Sequence, residues 1–421
     1  MSVLFDVVAQ HAEDSGFLWL QRAAAISAPH YDLDELTTLD NRLEAHIDGL
    51  RVSAESGWDM VLAQAERHKE AGEVFAAGVL ALESRDTARV EAVLAIAEAE
   101  PEAVRGVVSA LGWVGREALK GTGRELLEAE GAFRRRLGIA ACAAHRVDPG
   151  EALSSASADE DPALRACALR AAGQLGRVDL LPALLERLDD ADPACAFRAA
   201  WSAVRLGDRK AALQRLALLA LADDSPFQPA AAEIAPRAMA GGQARELLGS
   251  QARNPKRRRA VIRAVGASGD PHYVPWLIRQ METVEVARVA GEAFAMITGA
   301  DLAYEDLEGD WPEGFEAGPT EDPADEDVGL DPDEDLPWPE PERVQAWWQA
   351  RAGQFEAGRR YLAGRPVEAA GCREVLAAGF QRQRRAAALE LALMDPKAPL
   401  FETRAPGFRQ QKLLVQGIRA A

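Results

Sequence analysis

The stretch DPALRACALRAAGQLG, residues 161–176, is answered 31 positions later by DPACAFRAAWSAVRLG, residues 192–207. Asp161-Pro162 matches Asp192-Pro193, and Leu175-Gly176 matches Leu206-Gly207. In the first copy Leu164, Ala168, Ala171, Ala172 and Leu175 recur at helical spacing and form a narrow, alanine-rich apolar face. The aspartate can cap exposed amides and the proline fits the first helical turn, so Asp-Pro reads as a helix start. Gly176 can take the left-handed conformation that stops the helix. Leu180, Leu181, Leu184, Leu185 and Leu188 then form the broader face of a second helix. One such pair cannot cover its own apolar stripe, whereas a stack of pairs can.

The period extends in both directions. Pro255 lies two periods after Pro193, and Pro101 lies nearly two before Pro162. Val261, Ala264 and Val265, the break Gly269-Asp270-Pro271, then Val274, Leu277, Ile278 and Met281 repeat the pattern downstream. Val286, Val289, Ala290, Ala293, Phe294 and Ile297 form one more first helix, ending at Gly299. Upstream, Val104, Val107, Val108 and Leu111-Gly112 do the same, and Val79, Leu82, Val90, Val93 and Leu94 suggest an earlier pair. These units resemble HEAT repeats over residues 70–300, about seven units. The copies have diverged, since Leu184 is matched by Arg215 and Cys167 by Arg198. The expected fold is an all-α, HEAT-like α-solenoid, continuous along its length. Residues 1–69 form a helical cap, 70–300 the array, 301–342 an acidic insertion and 343–421 a basic helical cap.

The longest apolar run near the centre, Leu216 to Ala222, is far short of the roughly 18 residues that cross a bilayer. Met1 to Phe17 contains no lysine or arginine, so it lacks the charged opening of an export signal. A soluble, cytoplasmic protein is expected. Cys142, Cys167, Cys195 and Cys372 are too few and too scattered for a disulfide framework and read as buried thiols. Cys142 and His145 have the spacing of half a zinc site without its other half. His11, His30, His46, His68 and His272 are equally dispersed. No metal, cofactor or catalytic motif is assigned.

The N-terminal cap has Leu4, Phe5, Val8, Phe17, Leu18, Trp19 and Leu20 on one helix or pair, and Leu33, Leu36, Leu39, Leu43 and Ile47 on another. Trp19 and Tyr31 read as core aromatics, with a partner contact as the alternative. Two basic runs interrupt the array: Arg134-Arg135-Arg136 and Lys256-Arg257-Arg258-Arg259. Either is a solvated helix start with salt bridges between repeats, or a strip that takes phosphate or an acidic segment.

Past Gly299 the character changes. Asp301 to Glu342 carries 18 acidic residues and no lysine or arginine, with seven prolines. Such a segment cannot build its own core, so an extended, mostly disordered insertion is expected, pinned by Trp311, Phe315 and Trp338. Residues 343–421 carry a net charge of +8, which leaves −9 on residues 1–300 out of the chain's −19. The insertion therefore accounts for nearly the whole excess. It is expected to fold back as an internal latch onto Lys256, Arg257, Arg258 and Arg259 or onto Arg382, Arg384 and Arg385. Otherwise it is held out for a basic partner, through Asp322, Asp325, Glu326, Asp327, Asp331, Asp333, Glu334 and Asp335 with Trp311 and Trp338. The default for the three tail arginines is helix surface. Asp331, Asp333, Asp335 and Glu342 have the spacing of a calcium loop, but Leu336 stands where its turn needs glycine. Val344, Trp347, Trp348 and Phe355, with helical runs at Val367–Ala378 and Gln381–Met394, suit helices that cap the last repeat.

The helical lead, the array, the transition Met296-Ile297-Thr298-Gly299-Ala300-Asp301-Leu302, the insertion, and the tail elements Trp347-Trp348, Arg360-Tyr361-Leu362-Ala363-Gly364 and Gln381 to Glu390 together resemble a proteobacterial family of unknown mechanism encoded near type VI secretion genes. That resemblance implies a protein partner: a toxin blocked by an immunity protein, or an effector handled by an adaptor. The acidic balance suits a basic partner such as a nuclease toxin. A structural part of a larger assembly is a further reading. An enzyme such as a DNA glycosylase or chromophore lyase is the other class, but the acidic array disfavours nucleic acid.

Overall fold

The computed structural model describes residues 5–222, 224–315, 317–318, 331 and 333–420. The chain is all-α, a HEAT-like α-solenoid of stacked helical pairs. Helices α1 (Phe5–Ala25), α2 (Leu33–Val52) and α3 (Ala54–His68) precede the pairs α4/α5 (Ala71–Ser84, Thr87–Ala99), α6/α7 (Val104–Trp113, Thr122–Glu128) and α8/α9 (Ala132–His145, Glu151–Ala156). Next come α10/α11 (Pro162–Leu175, Leu181–Glu186), α12/α13 (Pro193–Arg205, Ala211–Leu219), α14/α15 (Gln228–Ala238, Gly241–Gln251) and α16/α17 (Arg258–Ser268, Val274–Gln280). Helix α18 (Ala287–Thr298) precedes the insertion. The tail holds α19 (Pro341–Arg351), a two-residue hairpin pairing Tyr361–Leu362 with Arg365–Pro366, α20 (Ala369–Ala378), α21 (Gln381–Met394) and α22 (Gly407–Ala420).

The local signals act as their chemistry requires. The Asp161 carboxylate accepts from Leu164 N at 2.7 Å and Asp192 from Cys195 N at 2.8 Å, each just ahead of a proline. Gly176 ends α10 at φ +75°. The first helices are long and buried, whereas α11 has six residues and buries only Leu184. The leucine-rich second face is therefore narrower than its sequence suggested.

The chain forms two compact units: Met1–Ser27, Tyr31–Ser202 and Lys397–Ala421 in the first, Ala28–His30 and Ala203–Pro396 in the second. In the first unit Phe75 packs between Trp19 and Trp113, at 6.2 and 5.5 Å between centroids, the second contact edge-to-face. Trp19 is thus a core aromatic, as its spacing suggested. Phe5, Phe17 and Leu20 are not: they lie exposed on the outer side of α1, whose inner side is carried by Val8, Leu18 and Trp19. Arg22 and the fully buried Asp40 form an ion pair at 2.5 Å, and Asp40 also accepts from Gly407 N at 2.6 Å.

The tail does more than cap the last repeat. In the second unit it crosses the carbonyl ends of the first helices. Ala363 N donates to Met296 O at 2.7 Å, Gly364 N to Ile297 O at 3.0 Å, and Tyr361 N to Gly269 O at 2.7 Å. Arg360 donates to Ser268 O at 2.8 Å and Arg237 O at 3.1 Å. Within the first unit, Leu400 N donates to Gln174 O at 2.8 Å, and Arg409 donates to Gly112 O and Trp113 O at 2.8 and 2.7 Å. Helix C-termini expose unpaired carbonyls and a partial negative charge, so an arginine-rich strand is the chemically apt cover. That accounts for Arg360 and Arg409, whereas Arg343 and Arg351 of the same tail pair with Asp306 and Glu305 of the insertion at 3.5 Å.

Candidate functional site

The helical pairs of the second unit end in α18, and a cluster is organised there by one side chain of that helix. Arg288 is almost fully buried. Its guanidinium donates to Asp331 Oδ2 at 2.7 Å and to Asp333 O at 2.9 Å. Around it stand Trp311, Phe315 and Trp338, with ring centroids 5.0, 5.9 and 5.2 Å from its central carbon. Desolvated cation–π contacts of this kind contribute on the order of 2 kcal/mol. Arg259 of α16 pairs with Asp333 and donates to Glu285 O at 3.3 Å.

The pairing has a precedent in the array. Arg135 pairs with Asp159 at 2.7 Å and Arg165 with Asp190 at 2.9 Å, each joining a first helix to a carboxylate in the loop that follows its repeat. At the end of the array Asp331 and Asp333 of the insertion take that place for Arg288 and Arg259. Burial works against ionisation of Asp331, but Arg288 and the Asp333 amide outweigh it and hold its carboxyl below the ordinary aspartate range. Two of the four carboxylates of the calcium-like spacing, Asp331 and Asp333, are therefore committed to guanidiniums.

The two ends of the insertion also pair with each other. Gly309 N donates to Trp338 O and Glu340 N to Leu307 O, both at 2.8 Å, flanking an antiparallel bridge between Glu308 and Pro339. Leu302, Leu307 and Leu336 are buried. Trp347 of α19 meets Phe294 edge-to-face at 5.4 Å and donates to Glu305 at 2.6 Å. The expectation of an extended segment thus fails at both ends, because apolar and aromatic residues spaced along the acidic stretch find the uncovered face of α18. The aromatic pinning by Trp311, Phe315 and Trp338 holds. Asp322, Asp325, Glu326 and Asp327 lie outside the described residues.

The basic residues are not gathered into one strip. Arg259 alone of its run meets the insertion's described carboxylates: Lys256 and Arg257 are exposed, Arg257 donates to Gln251 at 2.8 Å, and Arg258 is half-buried. On α21, Arg382 pairs with Glu292 at 2.5 Å and Arg385 with Glu233 at 2.5 Å. Arg384 is not helix surface, as its sequence position suggested. It is fully buried and donates to Leu376 O at 2.8 Å and Gln381 Oε1 at 3.1 Å, tying α20 to α21. Arg134 of α8 pairs with Glu91 of α5 at 2.6 Å, a bridge between pairs one apart in the array.

Pinning the insertion creates a groove of about 730 Å³ between α18, the segment that leaves it, the returning end of the insertion and the start of α21. Met296, Leu302, Leu336, Pro337 and Phe380 supply apolar wall. Glu334 and Asp335 stand exposed beside it, and Tyr304 is 89% exposed. Glu334 and Asp335 were legible as candidate contacts from charge. Tyr304, Met296 and Phe380 were not, since nothing in their spacing announces a shared wall.

The thiols are quiet groups. Burial pushes Cys195 and Cys372 up to about 11. His145 is buried with Nε2 2.8 Å from Leu111 O, and among the described residues no group of three or more potential metal ligands comes together. Among the same residues, no helix is long and apolar enough to cross a membrane.

A family model for HEAT repeats matches residues 150–235, from α9 into α14, the region that holds the two clearest copies. No curated protein and no solved structure was found to match the chain. HEAT repeats commonly serve as scaffolds for protein interactions, because stacked pairs present a long preformed surface.

Proposed function

We propose that this chain is a non-enzymatic scaffold that holds a basic segment of a protein partner in the groove beside α18. The observation that carries the reading is the groove itself: apolar wall from Met296, Leu302, Leu336 and Phe380, with the exposed carboxylates of Glu334 and Asp335 alongside. A segment that places a bulky apolar side chain between lysines or arginines matches both features. Arg288 serves the site indirectly, since it holds the insertion's returning end in place.

The finer reading is an immunity protein that binds and blocks a secreted toxin, a basic nuclease being the best electrostatic match. It rests on the resemblance to a family encoded near type VI secretion genes, together with the acidity of the chain. An adaptor that handles an effector without neutralising it is the second reading on the same resemblance. The test is calorimetric titration of the purified chain with the product of each neighbouring toxin or effector gene, alongside growth rescue in cells that express that toxin. Expected is one-to-one binding that Asp335→Lys and Glu334→Lys weaken about tenfold or more. Rescue selects immunity, and binding without rescue selects the adaptor. Tight binding indifferent to Asp335→Lys, Glu334→Lys and Tyr304→Ala removes the groove from the account, and no binding to any such product removes the toxin.

A further inference from the structure

The first unit contains a second concavity, of about 400 Å³, whose chemistry is opposite to that of the groove. Its wall is built by α1, α4, α6, α8 and α10 with residues 402–406 of the returning tail. Trp19 and Trp113 contribute indole surface, and Ala140, Ala144 and Cys167 are small enough to leave the space open. Ser109 and Gln174 bring neutral polar groups to the same wall.

Its charges do not cancel. Arg22 is neutralised by Asp40, and Glu402 is bonded to Arg146 at 3.1 Å. Glu402 also sits in the field of Arg170 and Arg404. Burial alone would raise the Glu402 carboxyl; the surrounding arginines win and hold it below the usual range. Arg105, from α6, is placed over the Trp19 ring at 5.9 Å. Among the described residues neither Arg105 nor Arg170 takes part in an ion pair, although 67 carboxylate side chains in the sequence outnumber 48 basic ones.

We infer that this cavity binds a small organic anion with a flat apolar body, its carboxylate or phosphate meeting Arg105 and Arg170 and its ring lying against Trp19 and Trp113. The volume is that of a small-molecule site, too small for a folded partner, and an indole wall flanked by guanidiniums is the chemistry that selects a flat anion over a neutral analogue. The inference is independent of the groove, which lies in the other unit and presents carboxylates.

The probe is 1-anilinonaphthalene-8-sulfonate, titrated by fluorescence into the full chain, with N-phenyl-1-naphthylamine as the same ring system lacking the charge. Expected is saturable one-site binding of the sulfonate, at least tenfold tighter than the neutral compound. Arg105→Gln and Arg170→Gln should each weaken the sulfonate about tenfold while leaving the neutral compound unchanged. Ala144→Leu, which fills the space, should weaken both, and matching thermal melts establish that each variant is folded. Displacement by indole-3-acetate identifies a carboxylate preference and by phenyl phosphate a phosphate preference. The inference is overturned by sulfonate binding that survives all three variants, by equal affinity for the neutral compound, by the absence of saturable binding, or by displacement with neither competitor.

Discussion

Replacing Arg288 with alanine removes three things at once: the ion pair to Asp331, the hydrogen bond to Asp333 O and the cation at the centre of Trp311, Phe315 and Trp338. Asp331 would be left with a side chain only 9% exposed and no charge partner on α18. Breaking a buried pair by removing one member costs about 3–5 kcal/mol. The insertion need not bear that cost in place, since its described ends are held to the repeats by this cluster, by Arg259 and by the Leu302, Leu307 and Leu336 contacts. The expected outcome is therefore local release. Amide exchange at Gly309 and Glu340, which bond across the base of the insertion, should accelerate by about a hundredfold or more. Exchange within α4, α6 and α8 of the first unit should stay unchanged. Tryptophan emission should shift toward that of exposed indole, and Arg288→Lys, which keeps the charge but loses the planar fork, should fall between. Unchanged exchange at Gly309 and Glu340 would refute the assignment of Arg288 as the pin. So would a uniform loss of protection across the chain.

Three further outcomes follow from the same geometry. Asp331 has a folded-state pKa below its unfolded value of about 3.9, so its stabilisation is complete above that value and lost as pH falls through the folded pKa; tryptophan emission should hold steady from neutral pH to about 4 and report release only in stronger acid. Gly176→Ala places a side chain at φ +75° and its Cβ 2.4 Å from Lys397 O, so it should lower the urea midpoint by the equivalent of about 1–3 kcal/mol and expose Leu400 N to exchange. Asp40→Asn leaves the Arg22 guanidinium without its counter-charge in the core of the first unit and should cost about 3–5 kcal/mol in a denaturant melt; a loss below 1 kcal/mol would contradict the buried pairing.

The repeat was legible because its information is local. An Asp-Pro start, a 3.6-residue apolar rhythm and a glycine stop each act within a turn or two of helix, and they recur, so Asp161, Gly176, Asp192 and Gly269 could be assigned from the string alone. Pinning by Trp311, Phe315 and Trp338 was legible for a cruder reason: bulky aromatics in an acidic, proline-rich stretch need somewhere to go. What they stack around was not. Arg288 lies 43 positions from Asp331, and no periodicity relates them.

Charge was the more deceptive signal. An acidic insertion followed by a basic tail invited the pairing of one with the other, and Arg343 and Arg351 do pair with Asp306 and Glu305 at 3.5 Å. But Arg409 donates to helix-end carbonyls and Arg360 divides its donors between such carbonyls and Glu390, and carbonyls carry no formal charge in a sequence. Arg384 looked like surface because a run of polar residues surrounds it, but the turn of α21 directs it inward to Leu376 O. By itself, then, the sequence determined the helical pairs, their caps and the existence of an acidic interruption, all properties of neighbours along the chain. Only tertiary structure decided where the tail runs, which carboxylates close the array and which walls become a groove. Those depend on backbone carbonyls and on contacts between residues tens to hundreds of positions apart, such as Leu400 with Gln174 and Arg409 with Gly112.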